Sequence, residues 1–147
     1  MKILITVAIV TFFTISNVNA QKSQIFAPGG KAIKGYDPVA FFKDSKPVKG
    51  EDSLSFNWKD TKWLFANRAN LESFKADPTR FEPQYGGYCA YGTSNGYKAP
   101  TQTDTWTIVE GKLYFNYNTK VKEMWTKDQQ ALIKKADEQW PKIIDKP

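Results

Sequence analysis

Ser53-Leu54-Ser55-Phe56-Asn57-Trp58-Lys59-Asp60-Thr61-Lys62-Trp63-Leu64-Phe65 is the stretch that decides the fold class. Leu54, Phe56 and Trp58 alternate with Ser53, Ser55 and Asn57, and an alternation of period two gives a strand one apolar face. Lys59-Asp60 separates this run from a second aromatic run, Trp63-Leu64-Phe65, so the stretch predicts a β-hairpin. Further along, Thr105-Trp106-Thr107-Ile108-Val109 and Lys112-Leu113-Tyr114-Phe115-Asn116 flank Glu110-Gly111. The glycine supplies a positive φ, and a second hairpin is expected there. The two hairpins are expected to form one sheet.

Helical patterns surround these strands. Asp37-Pro38 reads as an N-cap followed by proline at the first helical position, and Val39-Ala40-Phe41-Phe42 gives a short helix its apolar face. Asn67 reads as the cap of a helix with Ala69, Leu71 and Phe74 near one face, ended by Asp77-Pro78 and a turn toward Phe81. From Asn118 to Trp140, Val121, Trp125, Leu132, Ala136 and Trp140 recur at three- to four-residue spacings, with Met124 and Ile133 on the flanks. That spacing predicts one amphipathic helix, stopped at Pro141, whose aromatic stripe packs on the sheet. The expected class is therefore α+β: a small antiparallel sheet built from two β-hairpins, packed by short helices and a C-terminal amphipathic helix.

At the start of the chain, Lys2, the apolar run Ile3 to Phe13 and Val18-Asn19-Ala20 read as a signal peptide over 1–20, cut after Ala20. This predicts an exported protein, periplasmic or secreted; an uncleaved signal anchor is the alternative. The run is shorter than the roughly 20 residues of a membrane-spanning helix, so no stable membrane insertion is expected. Residues 21–34 contain Pro28-Gly29-Gly30 and little periodic hydrophobicity, and they read as a flexible lead-in, free or lying against a single domain over 35–147. The formal net charge is +6, but Lys134-Lys135 and Lys142 stand close to Asp137, Glu138 and Asp145. Interspersed charge of this kind reads as a solvated surface, and no nucleic-acid partner is expected.

The chain has one cysteine and no histidine. Cys89 lies in Gln84-Tyr85-Gly86-Gly87-Tyr88-Cys89-Ala90-Tyr91-Gly92, and a lone thiol in an exported domain closes no internal disulfide. A short helix from about Gly86 to Asn95 would set Tyr88 beside Tyr91, with Gly96 ending it in a left-handed conformation. Without histidine, standard hydrolase triads and imidazole metal sites cannot be built. The sequence also has no Gly-x-x-x-x-Gly-Lys phosphate loop.

Five separated motifs carry a resemblance: Gly35-Tyr36-Asp37-Pro38-Val39-Ala40-Phe41-Phe42; the hairpin leading to Phe65-Ala66-Asn67; Pro83-Gln84-Tyr85-Gly86-Gly87-Tyr88-Cys89-Ala90; Gly111-Lys112-Leu113-Tyr114-Phe115-Asn116-Tyr117; and Ala136-Asp137-Glu138-Gln139-Trp140-Pro141. Together, from about Gly35 to Pro141, they resemble the exported YHS-domain proteins. The resemblance implies a compact α+β fold. It also implies a link to heavy-metal handling, because relatives in the broader family include copper-transporting pumps with cysteines as suspected ligands. Members of the exported branch are similar to proteins described as possible selenoproteins, which implies an active chalcogen site, here at Cys89. The chain departs from the family name: Cys89-Ala90-Tyr91 stands where a Tyr-His-Ser signature would be sought.

Three functions follow as expectations. The first is binding of a soft transition metal, copper(I) by preference, through Cys89, with the Met124 thioether as the one other sulfur the mature chain could offer or with a second copy of the chain. One thiolate with carboxylates is a poor zinc site. The second is a thiol redox enzyme with Cys89 as the catalytic residue, its thiolate favoured by a helix start or by Lys98 or Arg80, and with an external thiol partner to complete the cycle. The third is a noncatalytic module that binds a small molecule or a protein, with Tyr85, Tyr88, Tyr91 and Lys98 shaping the pocket. A buried cysteine acting as a small hydrophobe stands beside all three.

Overall fold

The computed structural model describes residues 23–147; the expected signal peptide over 1–20 and the cleavage site lie outside the described residues. The fold is α+β. Strands β1 (Glu51–Trp58) and β2 (Thr61–Phe65) pair antiparallel, with Trp58 opposite Thr61 and Phe56 opposite Trp63. Lys59 and Asp60 make the two-residue turn with φ of 50° and 55°, the left-handed pair that matches the twist of a hairpin. Strands β3 (Thr107–Val109) and β4 (Lys112–Tyr114) form the second hairpin around Glu110 and Gly111, again with positive φ at both.

The hairpins do not share a sheet. Each is its own two-stranded sheet, because the neighbouring edges are used by other backbone. Lys31 bridges to Lys62 on β2, while Pro83 and Cys89 bridge to Leu113 and Phe115 at β4.

Asp37 ties the first half together. Its buried carboxylate accepts the N–H groups of Val39 at 2.8 Å and Ala40 at 3.3 Å through Oδ1, which starts α1 (Ala40–Lys43). Its Oδ2 accepts from Ala66 at 2.9 Å and from Asn70 Nδ2 at 2.7 Å. Helix α2 (Arg68–Ala76) is capped by Asn67, whose side chain accepts the Asn70 N–H, and is followed by α3 (Pro78–Phe81). Leu71 and Phe74 are buried as the spacing predicts, but Ala69 faces solvent and Asn70 takes the inner position, where Asp37 receives its amide. Phe74 meets Trp63 and Phe65 at ring separations of 5.0 and 5.2 Å, and this aromatic contact fastens α2 to β2.

The packed unit takes in residues ahead of Gly35: of the two expectations for the lead-in, the described part of it lies against the domain rather than free. Ile25, Ala32 and Ile33 lie in the main core, and the Phe26 N–H bonds to Gly86 O at 2.8 Å. The segment shows no periodicity because it is built of 3-10 turns at Pro28–Gly30 and Ala32–Gly35, with Ile33 and Lys34 themselves left-handed.

The C-terminal region is two helices rather than one, α5 (Thr119–Lys127) and α6 (Gln129–Ile143), broken where Asp128 leaves helical geometry. Asn118 caps α5 by accepting the Val121 N–H at 2.9 Å. Pro141 does not stop α6. It sits in the last turn, and the Ile144 N–H still reaches Trp140 O. The break lets Trp125 of α5 pack on Tyr114 at 5.5 Å while Ala136 of α6 is also buried. Strand β4 divides two cores, sending Leu113 and the following Phe115 into one and Tyr114 into the other, as the period-two alternation of a strand requires.

Candidate functional site

The segment from Pro83 to Gly92 is not the single helix expected over Gly86 to Asn95. A 3-10 turn at Gln84–Gly87 comes first, with Tyr85, Gly86 and Gly87 at φ of 57°, 63° and 89°. Three consecutive left-handed residues cannot enter a right-handed helix. Tyr88 is extended, Cys89 is the N-cap, and the helix α4 is only Ala90–Ser94. Gly96 ends it left-handed, at φ of 83°, as expected. Gly86 is fixed by close approach as well, because a Cβ there would lie 1.8 Å from Gln24 O.

Cys89 sits under this turn, 2% exposed. Its N–H bonds to Ala99 O at 3.0 Å. Its Sγ accepts N–H groups from Gly92 at 3.4 Å and Tyr117 at 3.3 Å and lies 3.5 Å from Asn116 Oδ1, which receives the thiol proton. Burial pushes the thiol's pKa up; the N–H groups of Gly92, Tyr117 and Tyr91 pull the other way without overcoming it. Neither cation considered for activating it does so. Arg80 lies over the Phe81 ring, and Lys98 is committed elsewhere.

Lys98 is 6% exposed. Its ammonium donates to Ile144 O at 2.5 Å, Lys146 O at 2.9 Å and Ser23 O at 3.5 Å, and lies over the rings of Tyr88 and Trp140. A cation at the C-terminal carbonyls of α6 opposes the partial negative charge there. Tyr88 donates its hydroxyl to the same Ser23 O at 2.7 Å. These two side chains therefore clasp the start of the described chain to its end. Tyr91 is half-buried against the second core. Met124 is 42% exposed on α5, so one sulfur faces solvent while the other is enclosed. Among the described residues there is no group of three His, Cys, Asp or Glu placed to hold a metal ion.

Tyr85 opens onto a cleft of about 190 Å³ between the 3-10 turn, α6 and the chain near Gln24. Beside Tyr85, its polar side chains are Gln24, Lys59, Glu82, Gln84 and Asp137, with Trp140 also lining it. The Tyr85 hydroxyl donates to Asp137 Oδ1 at 2.9 Å, and its ring lies 6.0 Å from Trp140. Burial first, and then the Asp137 carboxylate, push the Tyr85 hydroxyl far above the usual tyrosine range, so it keeps its proton and donates it to Asp137. Glu82 Oε2 receives Lys59 Nζ at 3.1 Å. Burial nevertheless raises the Glu82 pKa, and Lys59 offsets only part of this.

Sequence reasoning missed Glu82, Asp137 and Asn116. Glu82 and Asp137 are ordinary surface residue types in their own segments, and nothing in local spacing brings them to one cleft. Asn116 carried one faint signal, as a polar residue closing the apolar run Leu113-Tyr114-Phe115. No protein-family model, curated protein or solved structure matches the chain.

Proposed function

We propose that this protein is a noncatalytic binding module whose cleft between Tyr85 and Trp140 takes a small ligand through an ammonium group. The observation that carries this reading is the pairing of two carboxylates, Glu82 and Asp137, with an aromatic wall in one recess. Carboxylates and π faces both attract an organic cation, and a concave site with few polar groups is the usual form of a small-molecule pocket. Lys59 lines the same recess and holds its ammonium 3.1 Å from Glu82, so a ligand ammonium meets Asp137 and competes with Lys59 for Glu82. Order among the five motifs supports membership of the exported YHS-domain group, and the 1–20 segment supports export; both belong to the same proposal.

Copper(I) at Cys89, with Met124 or a second copy supplying another sulfur, is the competing proposal. It requires the thiol to leave its backbone N–H contacts, because Cys89 is buried and Met124 is exposed. Enzymatic thiol turnover requires the same movement at every cycle.

The test uses phenethylamine, phenethyl alcohol and phenylacetate, which share a skeleton and differ in the charge of one end. Saturation-transfer NMR on the folded protein should detect the amine, and its signal should fall in Glu82→Gln. Preference for phenylacetate, or no contact with any of the three, overturns the reading. Copper(I) bound stoichiometrically by the wild type and lost in Cys89→Ser would put the competing proposal in its place.

A further inference from the structure

Asn116 is 0% exposed, and its Nδ2 is a buried donor without a hydrogen-bond partner among the described residues. The amide cannot turn over to relieve this. Its Oδ1 accepts the Tyr91 N–H at 3.1 Å, and a flip would set two donors against each other. A buried unpaired donor is costly enough that native structures rarely keep one without a reason.

The neighbour of this amide is the sulfur of Cys89, 3.5 Å from Oδ1. A thiol serves the carboxamide by halves. Its S–H reaches Oδ1, but sulfur is a weak acceptor, and this one already receives the N–H groups of Gly92 and Tyr117. Nδ2 is left unanswered. One oxygen added to the sulfur changes the match, since an S–O–H group offers a hydroxyl donor to Oδ1 and an oxygen acceptor to Nδ2.

We infer that Cys89 is a modification site where a hydroperoxide, hydrogen peroxide in the simplest case, converts the thiol to a lasting sulfenic acid held by Asn116. The Sγ–O bond forms as the peroxide O–O bond breaks. Sulfur gives up two electrons, and the departing hydroxide takes the thiol proton and leaves as water. The surroundings then block the ordinary exits from this state. Cys89 is the only cysteine in the sequence, so no intramolecular disulfide can form, and burial hinders a second peroxide. Oxidation is slow and stoichiometric, because peroxide must reach an enclosed thiol whose pKa burial has raised. It is a mark left on the protein rather than a turnover, and it leaves the amine cleft free to act.

The test treats the folded protein with millimolar hydrogen peroxide, removes the excess with catalase, and hours later unfolds it in guanidinium with dimedone present. Peptide mass mapping should find the dimedone adduct at Cys89. Met124 gains an oxygen under the same treatment but forms no adduct, so the two oxidations are separable. Asn116→Asp replaces the donor with an acceptor and should shorten the lifetime of the trapped species several-fold. Should that variant fail to fold, the wild-type lifetimes decide: survival much longer in the folded than in the urea-unfolded chain supports the inference, and equal lifetimes overturn it. An unchanged thiol after peroxide also overturns it and assigns Asn116 Nδ2 to a trapped water. Direct passage to sulfinic or sulfonic acid overturns it as well.

Discussion

Replacing Gly86 with alanine puts a methyl group where the chain near Gln24 now lies. The added Cβ would stand 1.8 Å from Gln24 O and 2.9 Å from its carbonyl carbon. Both are backbone atoms, so no side-chain rotation relieves the clash and the segment around Gln24 must lift. Its lifting breaks the hydrogen bond from Phe26 N–H to Gly86 O, worth about 1 kcal/mol. It also exposes part of Ile25, now 1% accessible, whose full burial contributes about 1.5–3 kcal/mol. The left-handed backbone at φ of 63° adds about 1 kcal/mol for any residue with a Cβ. The expected loss is about 3–5 kcal/mol. Gly29→Ala is the control, because Gly29 has nearly the same φ, 67°, with nothing within 4 Å of its Cβ position. It should cost only about 1 kcal/mol, the conformational part alone. Urea unfolding followed by tryptophan fluorescence measures both, and amide exchange at Phe26 reports whether the segment has lifted. Losses equal within about 0.5 kcal/mol would refute the argument that close approach, and not φ, fixes Gly86.

Three further outcomes follow, one from the Lys98 clasp and two from Glu82 in the cleft. Lys98→Met keeps most of the apolar stem but removes the ammonium from the Ile144, Lys146 and Ser23 carbonyls; it should cost about 2–3 kcal/mol and speed amide exchange at Lys146 and Ile144, and unchanged exchange there would refute the clasp. Glu82 has its folded pKa raised by burial, so its protonated form favours the fold: this contribution is present below the unfolded glutamate pKa and lost as pH rises through the higher folded value. Glu82→Gln should therefore gain stability relative to wild type between acidic and neutral pH, as denaturation at a series of pH values would show. Amine binding should weaken over the same interval as pH falls, since the carboxylate is what holds the ammonium; a flat profile in both measurements would remove Glu82 from the site.

Much of the fold was legible because it rests on local pattern. Alternation in Leu54, Phe56 and Trp58 and the short Lys59-Asp60 connection suffice to specify a hairpin, and Asn67 satisfies a free N–H of the helix it precedes. Where local pattern was absent or ambiguous the reading failed. Ile25 and Ile33 are core residues on turns with no period to detect, so their segment read as a lead-in. Spacing from Val121 to Trp140 fits one continuous helix, and only packing of Trp125 against Tyr114 accompanies the break at Asp128. Gly86-Gly87 read as a weak helix start, since a sequence does not give the sign of φ.

By itself, the sequence determined the class of the fold, both hairpin turns, the caps at Asn67 and Gly96, and the limits set by one cysteine and no histidine. These depend on neighbours a few residues away and on composition. Tertiary structure alone decided that Cys89 is enclosed and bonded to backbone N–H groups, that Lys98 holds the two ends of the described chain together, and that Glu82, Asp137 and Trp140 share a recess. Each of those facts joins residues far apart in the chain, and what sets a side chain's protonation, reach and partners is the dielectric and the donors that folding brings to it from elsewhere.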